Sequence, residues 1–535
     1  MSQGVVVCVD PGAAEIGAQI LETGGNAFDA AVAIAFAQTV VLPFSCGIGG
    51  FLSANLRRAD GEHRIVDGCL RAGARVTDDM WVADYLGEAE FSGASLFADH
   101  RSALGYTSIC TPGTMAALGT IHDRFCTMPW AQLLQPAIRS ARAGYAVTPE
   151  LSASFAGAST ELQLPDGLTR LRATDACARI FLVDGTFRAA GELIENPDYA
   201  ATLERLAAAG ADDFYRGELG AAIAADLEGN GAFVTAGDLR SYSAREYDPV
   251  WSTYRDLRIG SNDGPGAGPL LLQALNVCEE LPLAGLPHSG VDHLALLGRT
   301  LQLVNQDRVD LLGDPDVSGR GPVEELISKR RAAELRQLVL DSAGADLSPH
   351  QDSPDTTHLT VVDADGNIAA ITHSLGAFSG VVTPGLGFVY NNGMNRFDPR
   401  PGRASSLTPG KARLHLMMPA VALREERPAM VLGAPGGNVI LSAMVQSFVN
   451  VVEYGMSAVE AVYAPRIHAE GNRIWCEGRI RGDVCAALRE RGFEVVHLPG
   501  SLGSNMARAQ LVRIDDEGRL DGGSDPRAGC AVLYV

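Results

Sequence analysis

The segment Asp355-Thr356-Thr357-His358 holds the residues whose types and spacing best fit a reaction. A threonine hydroxyl is a weak nucleophile unless a base sits beside it. A free α-amine on the same residue is such a base, so a chain cut before a threonine gains a nucleophile–base pair suited to acyl transfer. Cutting needs accessible backbone. Residues 348–355, SPHQDSPD, carry no apolar side chain except the prolines and read as an exposed, mobile stretch. Taken alone, Thr-Thr at the start of a strand is also ordinary β-forming sequence.

The elements that would position this threonine follow directly. Thr357–Val362 and Ile368–Ser374 are rich in β-branched residues, and Asp365-Gly366 lies between them, a hairpin signal. With Asp365-Gly366 centred in the turn, Ser374 falls opposite Thr357, one diagonal step from Thr356 and within hydrogen-bonding reach. His358 shares a strand face with Thr356, which leaves both a structural and a catalytic role open to it.

Elsewhere, Asp10-Pro11 opens a helix that ends at Gly24-Gly25, and Asn26 with Asp29 forms a capping box for a second helix from Ala27 to about Val41. Cys46 to Phe51 reads as a glycine turn into a strand. Residues 115–345 look mainly helical, with Trp130–Ala143, Leu219–Leu227, Leu270–Leu281 and Val291–Gln306 the clearest cases. Further strands are expected at Phe388–Tyr390, Pro428–Leu432, Ala507–Ile514 and Cys530–Val535. Helices are expected at Ile440–Glu453, Ala458–Tyr463 and Gly482–Arg491. Interspersed strands and helices point to a layered mixed fold.

Composition narrows the function. The 535 residues carry a net charge of −21, which argues against a nucleic-acid or anionic-membrane surface. No apolar run approaches the ~20 residues of a membrane span. The N-terminus lacks the pattern of a secretory signal, so a cytoplasmic location is expected. The ten cysteines are scattered without a C-x-x-C, so neither a disulfide framework nor a metal site is expected. Gly47-Ile48-Gly49-Gly50 lacks the spacing of a dinucleotide loop, and no cofactor is expected.

Longer stretches carry a resemblance. They include GGNAFDAAVA at 24–33, SCGIGGF at 45–51, TPGTMAAL at 111–118, LLQPAIRSARAGY at 133–145 and NQDRVDLLGDPD at 305–316. They continue with DTTHLTVVDADGNIAAITHS at 355–374, GFVYNNGM at 387–394, GAPGG at 433–437, YGMSAVEAVYAPRIH at 454–468 and SDPR at 524–527. In order and spacing the chain resembles the γ-glutamyltransferase family of N-terminal-nucleophile hydrolases. The resemblance implies an α+β, four-layer αββα sandwich. It implies self-cleavage of a precursor between Asp355 and Thr356, giving a large subunit 1–355 and a small subunit 356–535 that share one core. Thr356 would be the nucleophile in both processing and turnover, Ser374 its supporting hydroxyl, and Gly436-Gly437 the oxyanion hole.

The departures from the family pattern bear on the substrate. Where the family holds a glutamyl α-carboxylate with arginine and a serine pair, this chain has Cys69 and His415-Leu416. Where it holds the α-ammonium with an aspartate, this chain has Arg396. Two further polar positions become Gly376 and Gly393. Arg396 is expected to bind a carboxylate, with Arg71 and Arg413 as further candidates. An arginine facing an ammonium would repel it by a few kcal/mol at an effective dielectric near ~20. The expected activity is hydrolysis of an amide or related acyl bond in a small carboxylate-bearing substrate that is not γ-glutamyl, as in relatives that are cephalosporin acylases or oxamate amidohydrolases. Other readings are a carbon–carbon hydrolase releasing an oxalyl unit in alkylproline antibiotic pathways, a glutathione hydrolase, and a non-catalytic binding protein on the same scaffold.

Overall fold

Asp10 caps the first helix, Pro11–Glu22, through a 2.7 Å hydrogen bond from the Ala13 N–H to its carboxylate. Asn26 and Asp29 cap the second, Ala27–Val41, reciprocally, so the capping box expected from the sequence forms. This helix is buried from Ala27 to Val40. Its alanines let it lie close between a sheet and an outer helix, Trp130–Ala143.

The structure is a computed structural model that describes residues 4–89, 94–155, 164–341, 356–503, 506–527 and 529–535. Two antiparallel sheets form its centre. The seven-stranded sheet runs Arg245–Tyr247, His63–Gly68, Phe51–Arg57, Ile368–Ser374, Thr357–Val362, Val5–Cys8 and Ala531–Tyr534. The six-stranded sheet runs Val250–Tyr254, Leu257–Ser261, Ala420–Arg424, Arg427–Gly433, Gln510–Ile514 and Leu520–Ser524. Val5, Val7, Val362, Ile368 and Ala370 of the first sheet meet Val421, Leu423, Val431 and Val512 of the second. Helices cover each outer face, which completes the αββα layering. Strands from both sides of residue 355 contribute to each sheet. The hairpin 357–374 lies between Phe51–Arg57 and Val5–Cys8, in the interior of its sheet.

The hairpin differs from expectation by one residue. Thr357 pairs with His373 and His358 with Thr372. The loop holds three residues, Ala364 to Gly366. The Asp363 N–H donates to the Asn367 carbonyl, and Gly366 takes φ +93°. The Asp363 carboxylate accepts from the N–H groups of Asp365 and Asn367, which favours this loop over a two-residue turn. Continuing the register places Thr356 directly across from Ser374, closer than the expected diagonal.

Other expectations also shift. Phe388–Tyr390 is not a strand: Tyr390 makes a single bridge to Gly49, because these residues fill the gap beside the glycine turn. The region read as mainly helical contributes three strands between Arg245 and Ser261, two of them a hairpin that turns at Arg255-Asp256, where Arg255 takes φ +53°. The stretch 348–355 lies outside the described residues.

Candidate active site

Thr356 sits at the start of its strand, and its hydroxyl donates to Ser374 Oγ at 3.2 Å. Ser374 closes the neighbouring strand, and its Oγ also accepts from the Gly376 N–H at 2.9 Å. Gly376 turns the chain there with φ +77°, and a Cβ on it would meet Asn392 Oδ1 at 2.6 Å. Gly50 explains part of the glycine turn at 47–50: a Cβ there would lie 2.2 Å from the Ser374 carbonyl oxygen. Arg508 donates to the Thr356 carbonyl at 3.1 Å. Asp355, the other half of the expected cleavage bond, lies outside the described residues.

A cleft opens over this pair. Thr356, Ser374, Gly376, Arg396, His415 and Gly437 line it. Gly436 and Gly437 adopt φ +147° and +62° just before the helix Ile440–Tyr454, whose first residue also lines the cleft. The positive end of that helix therefore faces the threonine, a favourable place for a developing oxyanion. A Cβ on Gly436 would approach Ala507 Cβ to 2.6 Å.

Three guanidinium groups share the cleft: Arg308, Arg396 and Arg413. Arg308, from the helix Val291–Leu311, pairs with buried Glu470. Arg413 stacks over the Phe51 ring at 4.9 Å, and burial pulls its guanidinium down to about 10. Arg396 falls well below its ordinary value, through burial first and then through Arg413 and Arg308; Glu470 opposes the shift. Among the described residues, none that lines the cleft carries a carboxylate. A carboxylate about 4 Å from one guanidinium gains about 4 kcal/mol at an effective dielectric near 20. Sequence reasoning missed Arg308, one of many polar residues along Val291–Leu311, because its place in the cleft is set by tertiary packing.

The remaining candidates spread out. Cys69 lies behind His415, with Sγ 3.7 Å from its Nε2. Burial, followed by the charge of Arg413, pulls His415 down to about 3. Arg71 does not line the cleft. It bonds to Asp316 at 3.1 Å and to the Gly410 carbonyl, because its strand end points toward the Asp314–Asp316 turn. Gly393 is a packing position, where a Cβ would strike Leu70 at 2.7 Å and Cys110 at 2.8 Å. His358 is fully buried and bonded to Thr372 and Thr360, and burial holds it near 3. Its ring lies on Gly433 of the second sheet, a structural position.

All ten cysteines are free thiols. Among the described residues no helix is long and apolar enough to cross a membrane.

Known proteins resemble this chain in sequence and fold. The chain is 36% identical over 536 residues to the acylase ACY 1 proenzyme of Pseudomonas sp. strain V22, covering 98% of this chain and 92% of the relative. It is 30% identical over 548 residues to the glutathione hydrolase proenzyme of Escherichia coli K12, covering 98% and 90%. Its fold matches the crystal structure of cephalosporin acylase from Bacillus halodurans at a TM-score of 0.85, with 28% identity over 99% of this chain and 96% of that one. The gamma-glutamyltranspeptidase family model matches residues 13–535, and the chain is a hydrolase that belongs to this family.

Proposed function

We propose that the protein is a self-processing threonine acylase for small, carboxylate-bearing acyl substrates without a free α-ammonium. In processing, Thr356 Oγ attacks the Asp355 carbonyl and the peptide shifts to an ester. Water hydrolyses that ester, leaving a carboxylate on Asp355 and a free amine on Thr356. The pieces 1–355 and 356–535 stay together through their shared sheets.

In turnover the Thr356 amine takes the hydroxyl proton as Oγ attacks the substrate carbonyl. Ser374 holds the attacking oxygen in place. The N–H groups of Gly436 and Gly437, with the helix behind them, stabilise the oxyanion. The amine passes its proton to the leaving group, and water then releases the acid from the acyl-threonine.

The single observation that carries this reading is the Thr356–Ser374 hydroxyl pair facing a cleft lined by Arg396, Arg413 and Arg308. A substrate carboxylate is attracted by guanidinium groups in the cleft, whereas an α-ammonium is repelled by them. The 36% identity to the acylase ACY 1 proenzyme supports reading the protein as an acylase. A glutathione hydrolase is the second reading, favoured by the 30% identity to the Escherichia coli protein. Hydrolysis of glutaryl-p-nitroanilide and γ-glutamyl-p-nitroanilide separates the two. The proposal requires the glutaryl compound to have the higher kcat/KM, and the reverse order overturns it.

A further inference from the structure

Behind the cleft, Asp67, Cys69 and His415 form a buried cluster whose ligand atoms all lie within 4.8 Å of one another. His415 Nε2 stands 3.7 Å from Cys69 Sγ and 3.7 Å from Asp67 Oδ1. The same ring nitrogen makes both approaches. A nucleophile–histidine–acid relay would use one nitrogen for each partner, so this is not a second catalytic triad. Three different donor atoms instead converge on one point.

We propose that Asp67, Cys69 and His415 bind one thiophilic divalent cation of the zinc class. Thiolate, imidazole and carboxylate are the donors such ions take, and tetrahedral bonds of about 2.0–2.3 Å set ligand atoms roughly 3.3–3.8 Å apart. The observed separations already approach that spacing. Asp67 lies in the strand His63–Gly68 and Cys69 just past its end, and both side chains reach His415 Nε2. The Tyr247 hydroxyl donates to Asp67 Oδ2 at 2.8 Å and fixes the carboxylate. Asp67 Oδ1 is buried without a hydrogen-bond partner, and Asp67 is only 1% exposed. An unsatisfied buried carboxylate oxygen is costly, and a cation at the point of convergence would satisfy it.

The charges also balance. A divalent cation with one thiolate, one carboxylate and a neutral imidazole is neutral overall. Coordination displaces the Cys69 thiol proton to solvent. Cys69 and His415 are 346 residues apart in sequence, beyond any local ligand motif.

The test is optical and independent of turnover. The full-length, metal-stripped protein is titrated with Co²⁺. The expected result is one equivalent bound, with a thiolate-to-cobalt charge-transfer band and strong tetrahedral visible bands that Zn²⁺ abolishes. Cys69→Ser removes the charge-transfer band. Asp67→Asn, which keeps the side-chain shape, weakens affinity by more than about 10-fold. Cys110→Ser, at another buried thiol, leaves the spectrum unchanged. Substoichiometric binding by the wild type, a spectrum without the thiolate band, or a band that survives Cys69→Ser overturns the proposal.

Discussion

Thr356 and Ser374 stand directly across from each other at the open ends of neighbouring antiparallel strands, joined by a 3.2 Å hydrogen bond between their hydroxyls. Ser374 Oγ accepts two hydrogen bonds, from Thr356 and from the Gly376 N–H, so its position is fixed from both sides. Ser374→Ala leaves the Thr356 hydroxyl less well oriented. We expect kcat to fall by about 10–100-fold, as for loss of a hydrogen bond worth about 1.5–3 kcal/mol in the transition state, with KM nearly unchanged. Steady-state kinetics on a glutaryl amide checks this, and an unchanged kcat contradicts it.

Arg396 shares the cleft with Arg413 and Arg308, and burial first, then those two charges, hold its guanidinium well below its ordinary value. Arg396→Gln should raise KM for the glutaryl substrate by about 10–100-fold, the loss of a charged hydrogen bond. Steady-state kinetics on the glutaryl substrate reads the effect. An unchanged KM removes Arg396 from substrate binding.

Gly50 is packed against the backbone that carries Ser374, so no rotamer change can relieve a clash there. Gly50→Ala should cost about 3 kcal/mol by overpacking and slow processing as well as turnover. Denaturant unfolding and the rate of fragment appearance measure the two. A wild-type midpoint with wild-type processing would mean that the turn does not hold Ser374 in place.

The acid stability of the fold has a defined sign. His358 and His373 are fully buried, and burial lowers each from 6.5 to about 3. Below pH 6.5 the unfolded chain binds protons that the folded one refuses. The stability these residues contribute is thus complete above pH 6.5 and is lost as pH falls toward 3. Each should cost about 2 kcal/mol between pH 7 and pH 5. Unfolding midpoints measured across that range should fall with pH, and the fall should be shallower in His358→Gln. A flat profile would contradict the neutral, buried state of these rings.

Much of this arrangement is legible in the sequence, for local reasons. The caps at Asp10 and Asn26 and the hairpin strands at Thr357–Val362 and Ile368–Ser374 depend on neighbouring residues, and they form where expected. The hairpin register was misjudged because the Asp363 carboxylate selects a three-residue loop, a choice that Asp365-Gly366 alone does not reveal. Arg71 was misplaced for another reason. An arginine's reach is set by its partners, here Asp316 and Gly410, which belong to distant segments. Arg308 and the Asp67–Cys69–His415 cluster depend on tertiary packing in the same way, since no spacing along the chain joins them.

The central claim is that Thr356 is a nucleophile exposed by self-cleavage. Intact-mass analysis of the purified protein under denaturing conditions, with N-terminal sequencing of the smaller fragment, tests it most directly. The account predicts two fragments, the smaller beginning at Thr356, and a single uncut chain for Thr356→Ala. A wild-type chain that stays whole after long incubation, a fragment beginning at another residue, or cleavage that persists in Thr356→Ala would contradict it.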